Sequence, residues 1–457
     1  MKMTTDAFIQ ALLEEAVKAE VNPAEVYLSS GNNFRAMCVQ GQIANYSVNS
    51  TRGLSLRGLY KGKMGYAATE AFDQEAISQL VSAVRESAEL TEDEDPQEIY
   101  QGEEAYPEVN QYQPALDAVD EKRKLQLIQN IEKKALAMDG RITALNYNMI
   151  STTSAETRIV NRFITSPGQG RGLDLKYRDN MAVCYVSATA KEGDRVATGT
   201  GFRVTRNFEE LDEEAIAREA VEEALFMLRS EPVKSGEYRT LIHAKCMPDL
   251  LDVFSGVFSA ESVQKGMSLL AGKEGEMIAS EAVTLMDDPL LPGGLATRPF
   301  DAEGVPARTK AVIENGRLNT LLYNLKTARK AGKKTTGNAA KSGYAGEVNV
   351  SPTNFYLKPG EKSPEELMRD MGDGLVITEV SGLHAGANPI SGDFSLIAQG
   401  YTVRDGRKDQ PVDQITVAGN FYQLLKNIRA VGNDLTFPGS PIGSPTVDVG
   451  VMAVAGK

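Results

Sequence analysis

Histidine is nearly absent from this chain of 457 residues, which contains only His243 and His384. A zinc-protease helix needs two histidines one helical turn apart, so that both imidazole rings reach the same metal ion. These two histidines lie far apart in the sequence, and neither is followed by glutamate. The chain therefore cannot build a histidine-based zinc site of its own, and hydrolysis in which it takes part is expected to need a second subunit.

Cysteine is also scarce, with three widely spaced residues, Cys38, Cys184 and Cys246. They form neither a disulfide framework nor a CxxC metal pair, and a reducing compartment fits them best. No segment approaches the roughly 18 uncharged apolar residues of a membrane span. Residues 1–6 lead directly into an amphipathic pattern and lack the apolar core of a signal peptide. These absences predict a cytoplasmic protein without a membrane partner.

Positive charge is in the minority, because the formal net charge is −13 at pH 7. This balance disfavours binding to a phosphate backbone. The one basic stretch, residues 326–341, contains no aromatic side chain on which bases could stack. We therefore predict a solvated helix end and loop there, and no nucleic-acid partner.

The residues that are present divide the chain into three blocks of an α+β fold. Residues 1–95 form a predicted N-terminal α+β domain, 96–114 an acidic linker, 115–232 a central α+β domain, and 236–457 a larger β-rich domain. The first two blocks share the order helix, several strands, helix. This shared order suggests a structural duplication.

Local patterns give further expectations. Asp73 is placed to cap a helix, and strands are expected at 24–30 and 34–39, separated by a Gly-Asn-Asn turn at 31–33. A helix is expected at 413–430. A chain with many strands could bind a peptide as an added strand, but the sequence does not identify which sheet edge is open.

Few residues are candidates for chemistry in this chain. Ser262 and Lys265 match the S-x-x-K pattern, in which the lysine could activate the serine, but no S-D-N or K-T-G partner motif is present. His243 lies in an apolar strand, where a hydrogen-bonded core or edge histidine is expected. His384 lies in a glycine-rich loop, which leaves both a role in a cleft and a purely structural role open.

Several short motifs of the third block, in their order and spacing, resemble those of the TldD/PmbA family, also known as modulators of DNA gyrase. These motifs lie at residues 263–268, 301–306, 313–316, 336–338, 351–354, 388–395 and 431–435. The resemblance implies a two-subunit intracellular metallopeptidase. The TldD kind of subunit binds zinc through His-Glu-x-x-x-His on a helix and a later cysteine, whereas the TldE or PmbA kind lacks these ligands.

Aligned on a nearby turn, the zinc-helix motif falls on residues 251–256 of this sequence. Leu251 and Gly256 stand at the two histidine positions, and Asp252 stands at the glutamate position. The later cysteine falls in residues 438–443, which contain none. The chain thus resembles the TldE kind, with no metal of its own and no catalytic residue, and the resemblance implies a TldD-type partner subunit that holds the zinc.

The resemblance also suggests how such a subunit would work. It would complete a closed chamber and hold an unfolded or small peptide in an extended form, while being inactive alone. Polar residues of the glycine-rich loop are the candidates for lining this chamber, namely His384, Asn388, Ser391 and Asp393. A homodimer is expected when the chain is made alone, because a surface meant for a homologous partner can pair with itself.

Two other interpretations remain at this stage. One is a stand-alone regulatory or peptide-binding protein, which would form a stable homodimer without a paralogue. The other is an independent hydrolase that uses Ser262 with Lys265, or His384. If the chain is an independent hydrolase, substitution of these residues should abolish the activity of the purified chain.

Overall fold

The computed structural model describes residues 3–92, 97–166 and 169–457, which form three successive blocks. The first block contains α1 (Thr5–Lys18), β1 (Ala24–Val39), β2 (Gln42–Tyr60), β3 (Lys63–Thr69) and α2 (Gln74–Leu90). The second contains α3 (Pro114–Asp117), α4 (Glu121–Met138), β4 (Ile142–Ser166), β5 (Gln169–Arg171), β6 (Asp174–Glu192), β7 (Arg195–Thr205) and α5 (Glu213–Met227).

The third block is longer and richer in short strands. Its elements are β8 (Gly236–Ile242), α6 (Met247–Ser255), α7 (Ala260–Gln264), β9 (Leu285–Asp287), β10 (Lys310–Glu314), β11 (Arg317–Leu318), α8 (Leu325–Lys330), β12 (Ala339–Ala340), β13 (Asn349–Val350), β14 (Phe355–Leu357), α9 (Pro364–Met371), β15 (Gly374–Ser381), α10 (Leu383–Gly386), β16 (Asp393–Arg404), β17 (Arg407–Asn420), α11 (Phe421–Asn427), β18 (Ala430–Val431), β19 (Ile442–Gly443) and β20 (Val447–Ala455). This arrangement confirms the α+β fold class.

The long helices begin where a side chain can accept from a free backbone N–H. Thr4 accepts from Ala7 N at the start of α1, and Asp73 accepts from Ala76 N at the start of α2, as the sequence predicts for Asp73. Each helix buries one apolar face and leaves the opposite face in water. No helix within the described ranges is both long enough and apolar enough to cross a membrane.

The first two blocks share one sheet, in the order β3-β2-β1-β4-β6-β7 with β5 paired to β4. The antiparallel pairing of β1 with β4, from Ala24 opposite Arg162 to Met37 opposite Met149, joins the blocks. Alternate residues of β1 are buried on one face of the sheet. Helices α1 and α2 cover this face at Val26 and Leu28, and α4 and α5 cover it at Phe34 and Ala36.

The third block is built around a closed barrel. Strands β17, β16, β15, β8 and β20 pair in this order, and an additional β17–β20 pairing closes the ring. A second sheet, β11-β10-β9-β14-β19, packs its apolar residues into the same core. The third block contacts the other face of the large sheet, where Tyr27 and Ile159 pack with Phe300, Ala302 and Ala339.

Two local expectations are wrong. A helix was expected at 413–430, but residues 407–420 form β17 and only Phe421–Asn427 form a helix, α11. Ile415 and Val417 are buried while Thr416 between them is less so, which is the two-residue period of a strand. The Gly-Asn-Asn sequence at 31–33 is also not a turn, because β1 continues through it between two long neighbouring strands.

Candidate functional site

A cleft of about 800 Å³ lies where the outer strands of the large sheet face the third block. Its walls come from β6, β7, α5, α6 and β15, and from two loops at 291–295 and 435–438. The apolar part of the lining consists of Tyr185, Phe202, Val204, Leu291, Pro292, Leu295, Val380, Leu435, Phe437 and Pro438. Such a mixed, concave surface between two parts of a chain is typical of ligand-binding sites.

Helix α6 supplies one wall because its two faces differ in polarity. Leu250, Leu251 and Phe254 point into the core, where Phe254 stacks on Phe421 with ring centroids 4.6 Å apart. Asp249 lies on the side of the cleft. The apolar face therefore fixes the helix on the barrel and holds the Asp249 carboxylate at the cleft wall.

Three carboxylates from three elements meet in this cleft, and we call Glu223, Asp249 and Glu379 the acidic cleft group. Burial, together with the nearby carboxylate of Asp252, raises the pKa of Asp249 to about 6. Partial loss of hydration also raises the pKa of Glu379, and the negative charges of Glu223 and Asp249 act in the same direction. The repulsion of Glu379 by the other two carboxylates favours a positive charge beside it.

The neighbouring ionic groups of the cleft are already paired. Glu219 forms ion pairs with Lys245 and with Arg203, whose Nη1 lies 2.6 Å from the carboxylate. In contrast, the acidic cleft group accepts hydrogen bonds only from uncharged donors of the described residues. Thr200 N donates to Glu223 at 2.6 Å, and Gln399 donates to Glu379 at 2.6 Å. A positively charged ligand group would therefore find carboxylates here that no ion pair occupies.

Sequence reasoning did not find these residues. The acidic cleft group comes from α5, α6 and β15, which are distant in sequence, and each residue alone looks like an ordinary surface acid. Only the folding of α6 and β15 against the outer strands of the sheet brings the three together. No local motif marks such a group.

The four residues predicted to line a chamber lie elsewhere, between α10 and the first residue of β16. Asn388 accepts from Ile390 N at 2.9 Å, and Ser391 donates to Asp393 at 2.8 Å. Hydrogen bonds from Asn420 and Ser391 hold the pKa of Asp393 below its usual range. His384 is exposed on the short helix α10 and is not hydrogen-bonded to the other three. None of the four is among the residues that line the cleft.

Three domain models of one family, the PmbA/TldA metallopeptidases, match most of the chain. Residues 24–88 match PmbA/TldA metallopeptidase domain 1, residues 114–228 the central domain, and residues 235–456 the C-terminal domain. A Thermotoga maritima structure described as a modulator of a DNA gyrase is 33% identical, with a TM-score of 0.91 over 99% of this chain and 100% of that chain. The chain belongs to the PmbA/TldD family.

Two further relatives extend the comparison. The Escherichia coli O157:H7 protein named metalloprotease PmbA is 27% identical and covers 93% of this chain and 92% of its own length. The structure of TldE from Thermococcus kodakarensis has a TM-score of 0.88 over 98% of this chain and 100% of that chain. At 23% identity, that likeness shows the fold alone.

The residues that the sequence alignment assigns to the zinc-helix motif, 251–256, lie in the last part of α6 and directly after it, and they do not fit a zinc ion. Leu251 is fully buried in the apolar core, so neither its chemistry nor its position suits a metal ligand. Gly256 follows the end of the helix and has no side chain, and Asp252 is exposed. Within the described ranges, no three His, Cys, Asp or Glu side chains are grouped so as to hold a metal ion.

The other candidate groups are engaged in local structure. Lys265 pairs with Glu261 at 2.6 Å, and no hydrogen bond joins its ammonium to Ser262. His243 follows β8, where its Nδ1 accepts from Lys245 N at 3.1 Å. Burial lowers the pKa of His243. Lys265 thus pairs along α7, and His243 is engaged in the turn that follows β8.

Proposed function

We propose that this chain is the metal-free subunit of a two-subunit metallopeptidase, similar in role to TldE. The observation that carries the proposal is that Leu251 is buried in α6 and Gly256 directly follows this helix, at the two positions where the sequence alignment expects the histidines of the zinc-binding subunit. The zinc, and with it the chemistry of peptide hydrolysis, would then belong to a TldD-type partner. This chain would contribute binding surface.

The cleft beside α6 is the place where we propose that the peptide lies. It adjoins the helix that corresponds to the zinc helix, and its apolar walls can hold side chains without strict sequence preference. The ion pair of Lys265 with Glu261 gives no support for an independent Ser/Lys hydrolase. The substrate class that we propose is an unfolded or small peptide.

The cytoplasm is the proposed location. Cys38, Cys184 and Cys246 are all free and buried, and none is placed to form a disulfide. Unpaired cysteines of this kind fit a reducing compartment.

Peptide hydrolysis by three samples tests the proposal. The samples are this chain alone, a zinc-bearing TldD-type subunit alone, and the two mixed, each with an unstructured peptide and with or without a chelator. We expect chelator-sensitive hydrolysis only in the mixture. Chelator-resistant hydrolysis by this chain alone would overturn the proposal.

Variants of the mixture then test the place of the peptide. Glu379→Gln and Asp249→Asn remove charge from the cleft wall, and Glu237→Gln is a matched control because Glu237 is exposed on β8, outside the cleft lining. We expect the two cleft variants to raise the KM of the mixture for a peptide with a free amino terminus, with the control unchanged. Equal KM values for all three variants would place the peptide elsewhere.

A further inference from the structure

A hairpin loop of the third block carries a lysine, Lys341, onto the large sheet. Strands β12 and β13 pair antiparallel, and residues 341–348 form the loop between them. The Tyr66 hydroxyl of β3 donates to the backbone oxygen of Tyr344 at 2.8 Å. The Lys341 ammonium donates to Ser55 Oγ of β2 at 2.9 Å. These contacts hold Lys341 on the sheet face that packs against the third block.

The surroundings of the Lys341 ammonium are poor in groups that stabilise a positive charge. It lies over the rings of Tyr27 and Tyr66, at 4.5 Å and 5.1 Å from their centroids. Among the described residues it has no ion-pair partner, and its hydrogen bond goes to a hydroxyl group. Burial and the charge of Arg57 lower the pKa of Lys341 to about 8, although Glu25 opposes this effect. About a tenth of this amine is then neutral at pH 7, against less than about one part in a thousand for an ordinary lysine.

A buried hydrogen-bond donor without an acceptor lies near this amine. Ser55 and Arg57 are two residues apart on β2, so their side chains project from the same sheet face about 7 Å apart. Arg57 Nε donates to Glu25 and its Nη1 donates to Glu303. Arg57 Nη2 is also buried, and within the described residues it has no acceptor. A buried donor of this kind is costly, so a carbonyl oxygen placed beside it would be stabilised.

We propose that Lys341 is a modification site, at which a small activated acyl group, such as that of an acyl phosphate or a thioester, is transferred to the amine. The lone pair of the amine attacks the carbonyl carbon and a C–N bond forms. The bond from this carbon to the phosphate or thiol breaks, the leaving group keeps its electron pair, and a proton passes from the nitrogen to solvent. The inference does not depend on the proposed peptidase role.

The product fits the groups that surround it. The amide N–H of the acylated Lys341 can still donate to Ser55 Oγ, and the new carbonyl oxygen can accept from Arg57 Nη2. Lys341 is only partly buried, so a small reagent can reach it.

The charges around Lys341 favour a neutral product over a charged one. The titratable or charged groups that face the amine are Arg57 of β2, Glu25 and Tyr27 of β1, and Tyr66 of β3. A negatively charged adduct such as a carbamate would meet the buried Glu25, whose Oε2 has no donor among the described residues. An amide removes the positive charge beside Arg57 and introduces no charge of its own.

Reaction of the full chain with acetyl phosphate, followed by peptide mass spectrometry, tests the proposal. Lys124 is the matched comparison within the same molecule, because its ammonium also donates to a hydroxyl, that of Thr152, and lies over a ring, that of Phe34. It differs in that three carboxylates act on it and it is almost closed to solvent. Lys265 represents the exposed lysines. At pH 7 we expect Lys341 to be acetylated about tenfold or more faster than either.

The dependence of this reaction on pH and on folding gives two independent measurements. The rate at Lys341 should level off above about pH 8, whereas the rate at an ordinary exposed lysine should rise further. In concentrated urea the preference for Lys341 should disappear, because the folded surroundings create it. Equal rates at Lys341 and Lys265 in the folded chain, a rate at Lys341 that does not level off, or a preference that persists in urea would each overturn the proposal. No variant has to fold for these measurements.

Discussion

Carboxylates from distant elements meet at two places between the large sheet and the third block, but in different ways. In the acidic cleft group, Glu223, Asp249 and Glu379 face water and no cation of the described residues pairs with them. At the second place, which we call the sealed junction, Arg57 lies between Glu25 and Glu303.

The sealed junction is almost fully closed to solvent. Glu25 is 1% exposed, Arg57 9% and Glu303 3%. Arg57 Nε donates to Glu25 at 2.7 Å, and its Nη1 donates to Glu303 at 3.4 Å. Removal of one partner from a buried ion pair is strongly destabilising, whereas carboxylates without an ion-pair partner in an open cleft are available to a ligand. We therefore expect the junction to determine stability and the cleft to determine binding.

Of the substitutions considered, removal of Arg57 from the sealed junction should lower the free energy of unfolding the most. Arg57→Met leaves Glu25 and Glu303 buried without their ion-pair partner, and we expect the free energy of unfolding to fall by about 3–5 kcal/mol. Urea denaturation followed by far-UV circular dichroism measures this change. Arg195→Met is the control, because Arg195 is an exposed surface residue whose loss should cost less than about 1 kcal/mol. Similar values for the two variants would contradict the distinction.

A buried and an exposed position can also be compared at α6, where Leu251 is buried in the helix and Gly256 is exposed directly after it. Leu251→His replaces a fully buried apolar side chain by a polar ring and should cost about 2–5 kcal/mol. Gly256→His should cost less than about 1 kcal/mol, because Gly256 is exposed, has a helical φ of −60° and has open space where a Cβ would lie.

Thermal melting with and without zinc measures both changes at α6. We expect no stabilisation of either variant by zinc, since a single histidine here has no second ligand. A rise in melting temperature with zinc for either one would show that this end of α6 retains a metal-binding geometry.

These contrasts also explain what could be read from the sequence. The Asp73 cap and the helix–strands–helix blocks follow from local patterns, and they are correct because neighbouring residues decide them. The helix expected at 413–430 failed because closure of the barrel holds residues 407–420 as a strand against β16 and β20. Tertiary pairing overrides a short local pattern in such cases.

The candidate site was harder to predict from the sequence, because it also depends on tertiary contacts. The absence of histidine from α6 depends on residue identity alone and could be read directly. The acidic cleft group and the sealed junction depend on contacts between residues such as Arg57 and Glu303, which are distant in sequence. No periodicity or motif predicts such contacts.

The pH dependence of stability should distinguish the sealed junction from exposed acids. Burial raises the pKa of Glu303, Arg57 opposes this effect, and the nearby Asp301 adds to it. An acid with a raised pKa contributes stability below its ordinary pKa, and this contribution is lost as the pH rises through the raised value. We therefore expect the ionisation of Glu303 to lower the stability of the fold as the pH rises to neutral.

Glu303→Gln tests this expectation, because a neutral amide can still accept from Leu325 N, which donates to Glu303 at 2.8 Å. Its loss of stability between mildly acidic and neutral pH should be smaller than that of the wild type by about 1 kcal/mol or more, since one pKa unit corresponds to about 1.4 kcal/mol. Urea denaturation across this pH range is the measurement. The exposed Glu237→Gln should follow the wild-type curve, and a Glu303→Gln curve parallel to both would refute the assignment.

The smallest effect on stability is expected in the acidic cleft group. The pKa of Asp249 is raised to about 6, so its contribution to stability is lost as the pH rises through that value. Asp249→Asn should therefore leave the fold unchanged or stabilise it by less than about 1 kcal/mol above this pH, because the open cleft lets water screen the charge. Melting temperatures at acidic and neutral pH measure the effect. A loss of stability as large as that of Arg57→Met would mean that the cleft carboxylates stabilise the fold as the junction does. Their exposure to water would then be no sign of a role in binding.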